Sequence, residues 1–172
     1  MSATETPTPW DVESVYPGTA NFRNRATTDL TGLVFSTGRI EMQDVPGGMV
    51  IRALGGDLPQ WVAPTVKALN RLLRLEDNWD SYGAHPVRLD CVKGALELLV
   101  SIMRDETPAP TLVPTNRGAI QIEWHTRGVD LEIEVESQLR LRVFFDGPGG
   151  SWEKEMSCDL TQLSDAVKRI SN

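Results

Sequence analysis

Residues 78–86 read Asn-Trp-Asp-Ser-Tyr-Gly-Ala-His-Pro, and no other stretch of the chain concentrates so many groups able to do chemistry. A carboxylate, an imidazole, an amide and two large aromatics are the ingredients of a small ligand pocket or an acid–base site. A turn that only reverses the chain needs Gly, Asn or Pro. As a site, the loop would be lined by Trp79, Asp80, Tyr82 and His85, met from a following strand by Arg117, Glu123 and His125. As a structural clasp, the same residues have other work. Asn78 and Asp80 can accept hydrogen bonds from nearby backbone amides in Asx-turns. Trp79 and Tyr82 can wedge between helices and a sheet that carries Trp124, each with its polar atom at the rim. Gly83 permits positive φ, and Pro86 pushes His85 out of the helical region. The residue types support the clasp first and the site second.

A second set of candidates comes from alternation. Glu123, Asp130, Glu132, Glu134, Glu153 and Glu155 fall on the polar positions of runs whose other positions are apolar. Such a row could hold a metal or an acid–base pair, could be a plain solvated face with salt bridges, or could dock a basic protein, with Glu132, Glu134, Glu153 and Glu155 as the docking face. Carboxylates in plain alternation carry no calcium-loop or other metal-ligand spacing, so no metal and no cofactor are expected. The two cysteines, Cys91 and Cys158, form neither a disulfide framework nor a metal motif and read as buried reduced thiols. Cys91 falls in the first turn of an expected helix, where the dipole favours a thiolate, and Cys158 ends a strand; no surrounding motif makes either a nucleophile. Gly147-Pro148-Gly149-Gly150 lacks the Lys and Ser/Thr of a phosphate loop and reads as a hairpin turn.

The elements that must position these groups follow from periodicity. Leu33–Phe35, Ile40–Met42 and Met49–Leu54, broken by glycine-rich turns, predict short strands. Val62, Val66, Leu69 and Leu73 predict a helix that begins near Pro64 and stops before Asn78. A second helix is expected from Asp90, as N-cap, to Met103, with Val92, Leu96 and Leu99 on its stripe and Gly94 marking a close approach to a neighbouring helix. Thr107–Pro110 then forms a stiff crossover.

Strict alternation follows over Ile120–His125, Val129–Glu136, Leu139–Phe145 and Trp152–Cys158, the signature of antiparallel strands over one core. Keeping apolar residues on one face sets Val135 opposite Leu139, Ile133 opposite Leu141 and Leu131 opposite Val143, with Glu136-Ser137-Gln138 as the loop. The next hairpin pairs Phe145 with Trp152, giving an outer ladder Glu132–Arg142–Glu155. A last helix spans Leu160–Ile170, capped by Asp159 or Thr161. The expected fold is α+β: an antiparallel β-meander of at least four strands, with two central helices and a C-terminal helix packed on one face.

With 172 residues and 40% hydrophobic content, one domain over 31–172 is expected, preceded by a flexible or draped tail over 1–30. In that tail Trp10, Val12, Val15 and Tyr16 could act as an apolar latch. The formal net charge of -7 disfavours direct nucleic-acid binding and leaves a basic protein as the fitting charged partner. No apolar run approaches the ~20 residues that span a bilayer, and the N-terminus lacks a signal-peptide pattern. A cytoplasmic protein without membrane association is expected.

Asn78–Ala84 with Pro86, then Pro110 and Pro114, then Gly118-Ala119-Ile120-Gln121-Ile122-Glu123-Trp124-His125, resembles a group of small uncharacterised bacterial proteins that share this helix–loop–helix and strand meander. The resemblance spans roughly residues 65–136. It implies a bacterial source and an intact α+β module, and it carries over no functional residue. The functional expectation is a non-enzymatic accessory protein of antitoxin, immunity or defence type that occupies a protein partner. The alternatives are a small enzyme or ligand binder at residues 78–86 and a structural homo-oligomer subunit.

Overall fold

Short β-favouring runs in the first third of the chain form a four-stranded antiparallel sheet. Its strands are β1 (Ala26–Thr28), β2 (Gly32–Phe35), β3 (Gly38–Val45) and β4 (Gly48–Gly55), paired in chain order. The computed structural model describes residues 26–28, 32–35, 38–46, 48–138, 140–157 and 159–171. The expected latch residues Trp10, Val12, Val15 and Tyr16, and Cys158, lie outside them, as does Leu139.

Helix α1 (Val62–Leu72) opens with Pro64 in its first turn, where a missing N–H costs nothing. Its Asn70 works on the outer edge of β4: the side-chain amide accepts from the Ile51 N–H at 2.8 Å and donates to the Ile51 carbonyl at 2.7 Å. One side chain thus satisfies both main-chain groups of Ile51, in place of a further strand.

Helix α2 spans Leu89–Ile102, with Arg88 rather than Asp90 as N-cap residue. The Asp90 carboxylate instead accepts from the Arg88 Nε at 3.3 Å. Gly94 does mark a close approach, but to the sheet and not to a helix: a Cβ there would lie 2.9 Å from the Gln138 Cα and 3.2 Å from a Val135 methyl.

The alternating runs form a five-stranded antiparallel meander: β5 (Thr111–Pro114), β6 (Ile120–Thr126), β7 (Val129–Ser137), β8 (Arg140–Gly147) and β9 (Gly150–Met156). Strand β5 directly follows the expected Thr107–Pro110 crossover, at residues for which no element is expected, because a four-residue strand ending in proline shows no period. Inner rows run straight across the sheet. One is Leu112–Ile122–Ile133–Val143, and another is Trp124–Leu131–Phe145–Trp152, in which Phe145 and Trp152 stack at 5.5 Å.

The β7–β8 register differs from the expected one by two residues. Val135 faces Leu141, Ile133 faces Val143 and Leu131 faces Phe145. A bulge between Val135 and Ser137 absorbs Glu136, which restores the face parity that a tight turn at Gln138 would otherwise break. Arg142 therefore stands between Glu134 and Glu155, so the outer ladder is Glu134–Arg142–Glu155 and not Glu132–Arg142–Glu155.

Helix α3 (Thr161–Ser171) follows, with the Asp159 carboxylate accepting from the Thr161 N–H at 3.0 Å. Helix α2 contacts β6 and β7, α3 contacts α2 and β7, and α1 joins β4 to β5. One apolar cluster unites Ile40 and Ile51 of the first sheet, Trp61 and Leu69, the α2 stripe Val92–Leu99, the inner faces of β6–β8, and Leu163, Val167 and Ile170. Each fully buried aliphatic of this cluster contributes about 1.5–3 kcal/mol of transfer free energy. The architecture is α+β, and no helix among the described residues is long and apolar enough to cross a membrane.

Candidate functional site

The loop at residues 78–86 is closed by its own polar atoms. The Asn78 N–H donates to the Ala84 carbonyl at 2.7 Å, and the Asn78 side-chain oxygen accepts from the Gly83 N–H at 2.7 Å. The Asp80 carboxylate accepts from the N–H groups of Tyr82 (2.7 Å) and Ala84 (3.0 Å), which holds its carboxyl below the usual range. The Trp79 indole N–H donates to the His85 carbonyl at 3.1 Å. Asn78 (φ 63°), Ser81 (φ 66°) and Gly83 (φ 91°) take the left-handed region, for which Asn and Gly are suited and Ser is not.

The loop is then bolted to the turn before β6. The His85 N–H donates to the Asn116 carbonyl and the Arg88 N–H to the Gly118 carbonyl, both at 2.9 Å. Gly118, at φ 77°, leaves room where a Cβ would stand 2.5 Å from the Pro86 carbonyl oxygen. The Arg88 guanidinium donates to the carbonyls of Arg117 (3.3 Å) and Glu136, tying the start of α2 to the sheet. Asn116, Arg88 and Gly118 are thus the residues that fix the loop. No side-chain motif marks them, because the bonds run to main-chain atoms.

Tyr82 departs from the expected wedge: it is 93% exposed, standing at the tip of the loop. Trp79 is half-buried, and the side chain of His85 is exposed, 3.6 Å from Asp77. The loop docks at Asn116, ahead of β6, whereas Glu123 and His125 stand about 10 and 17 Å along that strand from Ile120 at about 3.4 Å per residue, with His125 paired to Glu123 and Asp130. Arg117 instead reaches Glu134 at 3.5 Å. Trp124 is buried on the inner face and donates to the Pro108 carbonyl at 2.8 Å.

Glu123 and His125 belong to the outer face of the sheet, where register builds three rows. The first is Val113–Gln121–Glu134–Arg142–Glu155, the second Thr111–Glu123–Glu132–Phe144–Glu153, and the third His125–Asp130–Asp146–Ser151. Arg142 is shared between Glu134 (3.7 Å) and Glu136 (3.4 Å). His125 bridges Asp130 (3.0 Å) and Glu123 (3.4 Å), and the hydrogen bond to Asp130, then that to Glu123, raises its pKa above the usual imidazole value. Glu132 accepts from the Gln121 amide at 2.9 Å. Among the described residues, Asp146, Glu153 and Glu155 have no ion-pair partner. Phe144 stands in the middle of the second row, 39% exposed. It and Asp146 extend the expected acidic face; an apolar residue on a polar position of the alternation is the signal that marks Phe144.

Among the described residues no cluster of His, Cys, Asp and Glu has the arrangement to hold a metal ion. Cys91 is buried, with its Sγ 3.1 Å from an Arg88 Nη and 3.4 Å from the Glu136 carbonyl. Burial pushes the thiol up to about 11, so the thiolate needed for nucleophilic chemistry is scarce at neutral pH. No protein-family model, curated protein or solved structure matches the chain.

Proposed function

We propose that this chain is a non-enzymatic accessory protein that acts by protein–protein contact, and that the outer face of its five-stranded sheet receives a basic partner. The observation that carries this reading is the charge balance across that face. Its rows hold Glu123, Asp130, Glu132, Glu134, Asp146, Glu153 and Glu155 against Arg142 and His125, with Arg117 reaching Glu134 and Arg140 reaching Glu136, and Asp146, Glu153 and Glu155 are left without an ion-pair partner among the described residues. A sheet face that served only as solvated surface would gain stability from opposite charges placed across its strands, as Glu134 and Arg142 are. Leaving carboxylates unpaired instead creates a field that steers and orients a cationic surface.

A pocket at residues 78–86 is supported less well. Its carboxylate and amide oxygens are engaged by the loop's own N–H groups.

Affinity capture from source cells tests the proposal, using the full chain and the variant Asp146→Lys/Glu153→Lys/Glu155→Lys as baits. The expected result is a basic protein retained by the first bait, lost with the second, and released as salt is raised. If every retained protein is indifferent to both the substitutions and the salt, the reading is wrong.

A further inference from the structure

The second outer row sets an aromatic ring between two carboxylates. Glu132 and Glu153 lie directly opposite Phe144 on the two neighbouring strands, so their Cβ atoms are about 4.5–5.5 Å from that of Phe144. The ring is 39% exposed. Among the described residues no side-chain cation lies over it. The nearest cation along the strand, Arg142, is turned to Glu134 and Glu136. On the inner face the neighbouring ring, Phe145, already has its cation: the Arg169 guanidinium carbon is 5.7 Å from the ring centre. Glu132 is held in place by the Gln121 amide, which occupies one of its oxygens and leaves the other free to accept.

This arrangement discriminates between the two basic side chains. A lysine ammonium is a compact, strongly hydrated charge, attracted by the carboxylates but reluctant to shed water onto a ring. A guanidinium is planar and weakly hydrated; it can stack on the ring while its edge donates to a carboxylate at either side. We infer that the outer face reads arginine side chains of a basic partner segment, with Phe144 as the stacking platform and Glu132 and Glu153 as the flanking acceptors. The inference rests on the docking reading above and deepens it by naming the partner's chemistry. Charge complementarity argues for this occupant: a second copy of a chain with formal net charge -7, or a nucleic acid, would bring like charge to the same carboxylates.

The test uses the full chain and two synthetic peptides of equal length and charge, one alternating arginine with threonine and the other lysine with threonine. Each is titrated at low salt, with calorimetry for affinity and amide chemical-shift mapping for location. The arginine peptide is expected to bind about two- to five-fold more tightly, the range of an exposed cation–π contact. Shifts should centre on Phe144 and its neighbours in β7 and β9. Phe144→Leu, which keeps an apolar side chain, should bring the arginine peptide down to the affinity of the lysine peptide. Glu132→Gln/Glu153→Gln should weaken both. If the two peptides bind this face equally and Phe144→Leu changes neither, arginine reading is refuted while docking of a basic partner stands. If neither peptide perturbs the face, both readings fall.

Discussion

Two glycines of the Asn78–Pro86 loop and its docking turn, with Gly56 between β4 and α1 as a reference, allow strain and steric contact to be separated by three substitutions. At Gly56 a Cβ would meet nothing within 4 Å, and the backbone there is not left-handed. Gly56→Ala should be neutral or stabilise by up to about 1 kcal/mol, through the unfolded chain's lost freedom. At Gly83 a Cβ also meets nothing, but φ is 91°. Gly83→Ala therefore carries only the left-handed penalty, about 1–2 kcal/mol, offset by the same entropic gain to a net of about 1. At Gly118 φ is 77° and the added Cβ would lie 2.5 Å from the Pro86 carbonyl oxygen, a main-chain atom that cannot rotate away. To the same net strain of about 1 kcal/mol is added about 1–3 kcal/mol of overpacking, for a total of about 2–4. With about 2–4 °C per kcal/mol for a chain of this size, Gly83→Ala should lower Tm by about 2–4 °C and Gly118→Ala by about 4–16 °C, with Gly56→Ala unchanged or higher. Thermal unfolding followed by circular dichroism reads the series. Equal losses at Gly83 and Gly118 would mean that the Pro86–Gly118 contact does not hold the loop, and the account of the loop as a bolted clasp would be wrong.

Two further predictions concern single side chains. Asn70→Asp keeps the acceptor for the Ile51 N–H but sets a carboxylate against the Ile51 carbonyl; a loss of about 1–3 kcal/mol is expected in urea unfolding, with increased association by light scattering as the β4 edge loosens, and a variant as stable and monodisperse as the parent would contradict the edge-blocking role. For His125 the folded pKa is raised by Asp130 and Glu123, so its stabilising contribution is complete below the unfolded value of about 6.5 and fades as pH rises through the folded one. His125→Gln should flatten that part of the pH–Tm profile, and an imidazole found by NMR to titrate at or below the ordinary value would rule the bridge out.

What could be read from the sequence follows what alternation constrains. Period 2 names the faces of β6 to β9 correctly, because burying Ile122, Ile133 and Val143 requires it. It constrains register only modulo two, so the bulge at Glu136 moved Arg142 from Glu132 to Glu134 without moving any apolar side chain to the wrong face. Gly94 signals a close approach, yet a missing Cβ does not say what approaches, and the neighbour is the β7–β8 hairpin. The loop shows the converse: composition identifies Asn78 and Asp80 as capping groups, which they are, but gives no direction for Tyr82, whose ring points to water. Asn70 and Arg88 were not legible at all, since both bind carbonyls or amides brought near by the fold from distant parts of the chain.

The two faces of the five-stranded sheet bear on one another. The inner rows are filled by aliphatic and aromatic side chains and contacted by α2 and α3, so the core fixes which face each strand buries whatever the outer side chains are. Outer residues are then free to vary as far as stability is concerned, within a few tenths of a kcal/mol for a surface position. Under stability alone, the cheapest choice in each row is an alternation of charge sign, and the first row approaches it with Glu134, Arg142 and Glu155. The second row does the opposite: Glu123 stands opposite Glu132, and Glu132 and Glu153 flank Phe144, combining like-charge repulsion with an exposed ring. Neither feature helps the isolated chain, and both become favourable when a planar cation lies on the ring. That asymmetry between adjacent rows of one sheet, built on the same core, is the physical ground for the proposal that a partner is recognised on the outer face rather than at the loop.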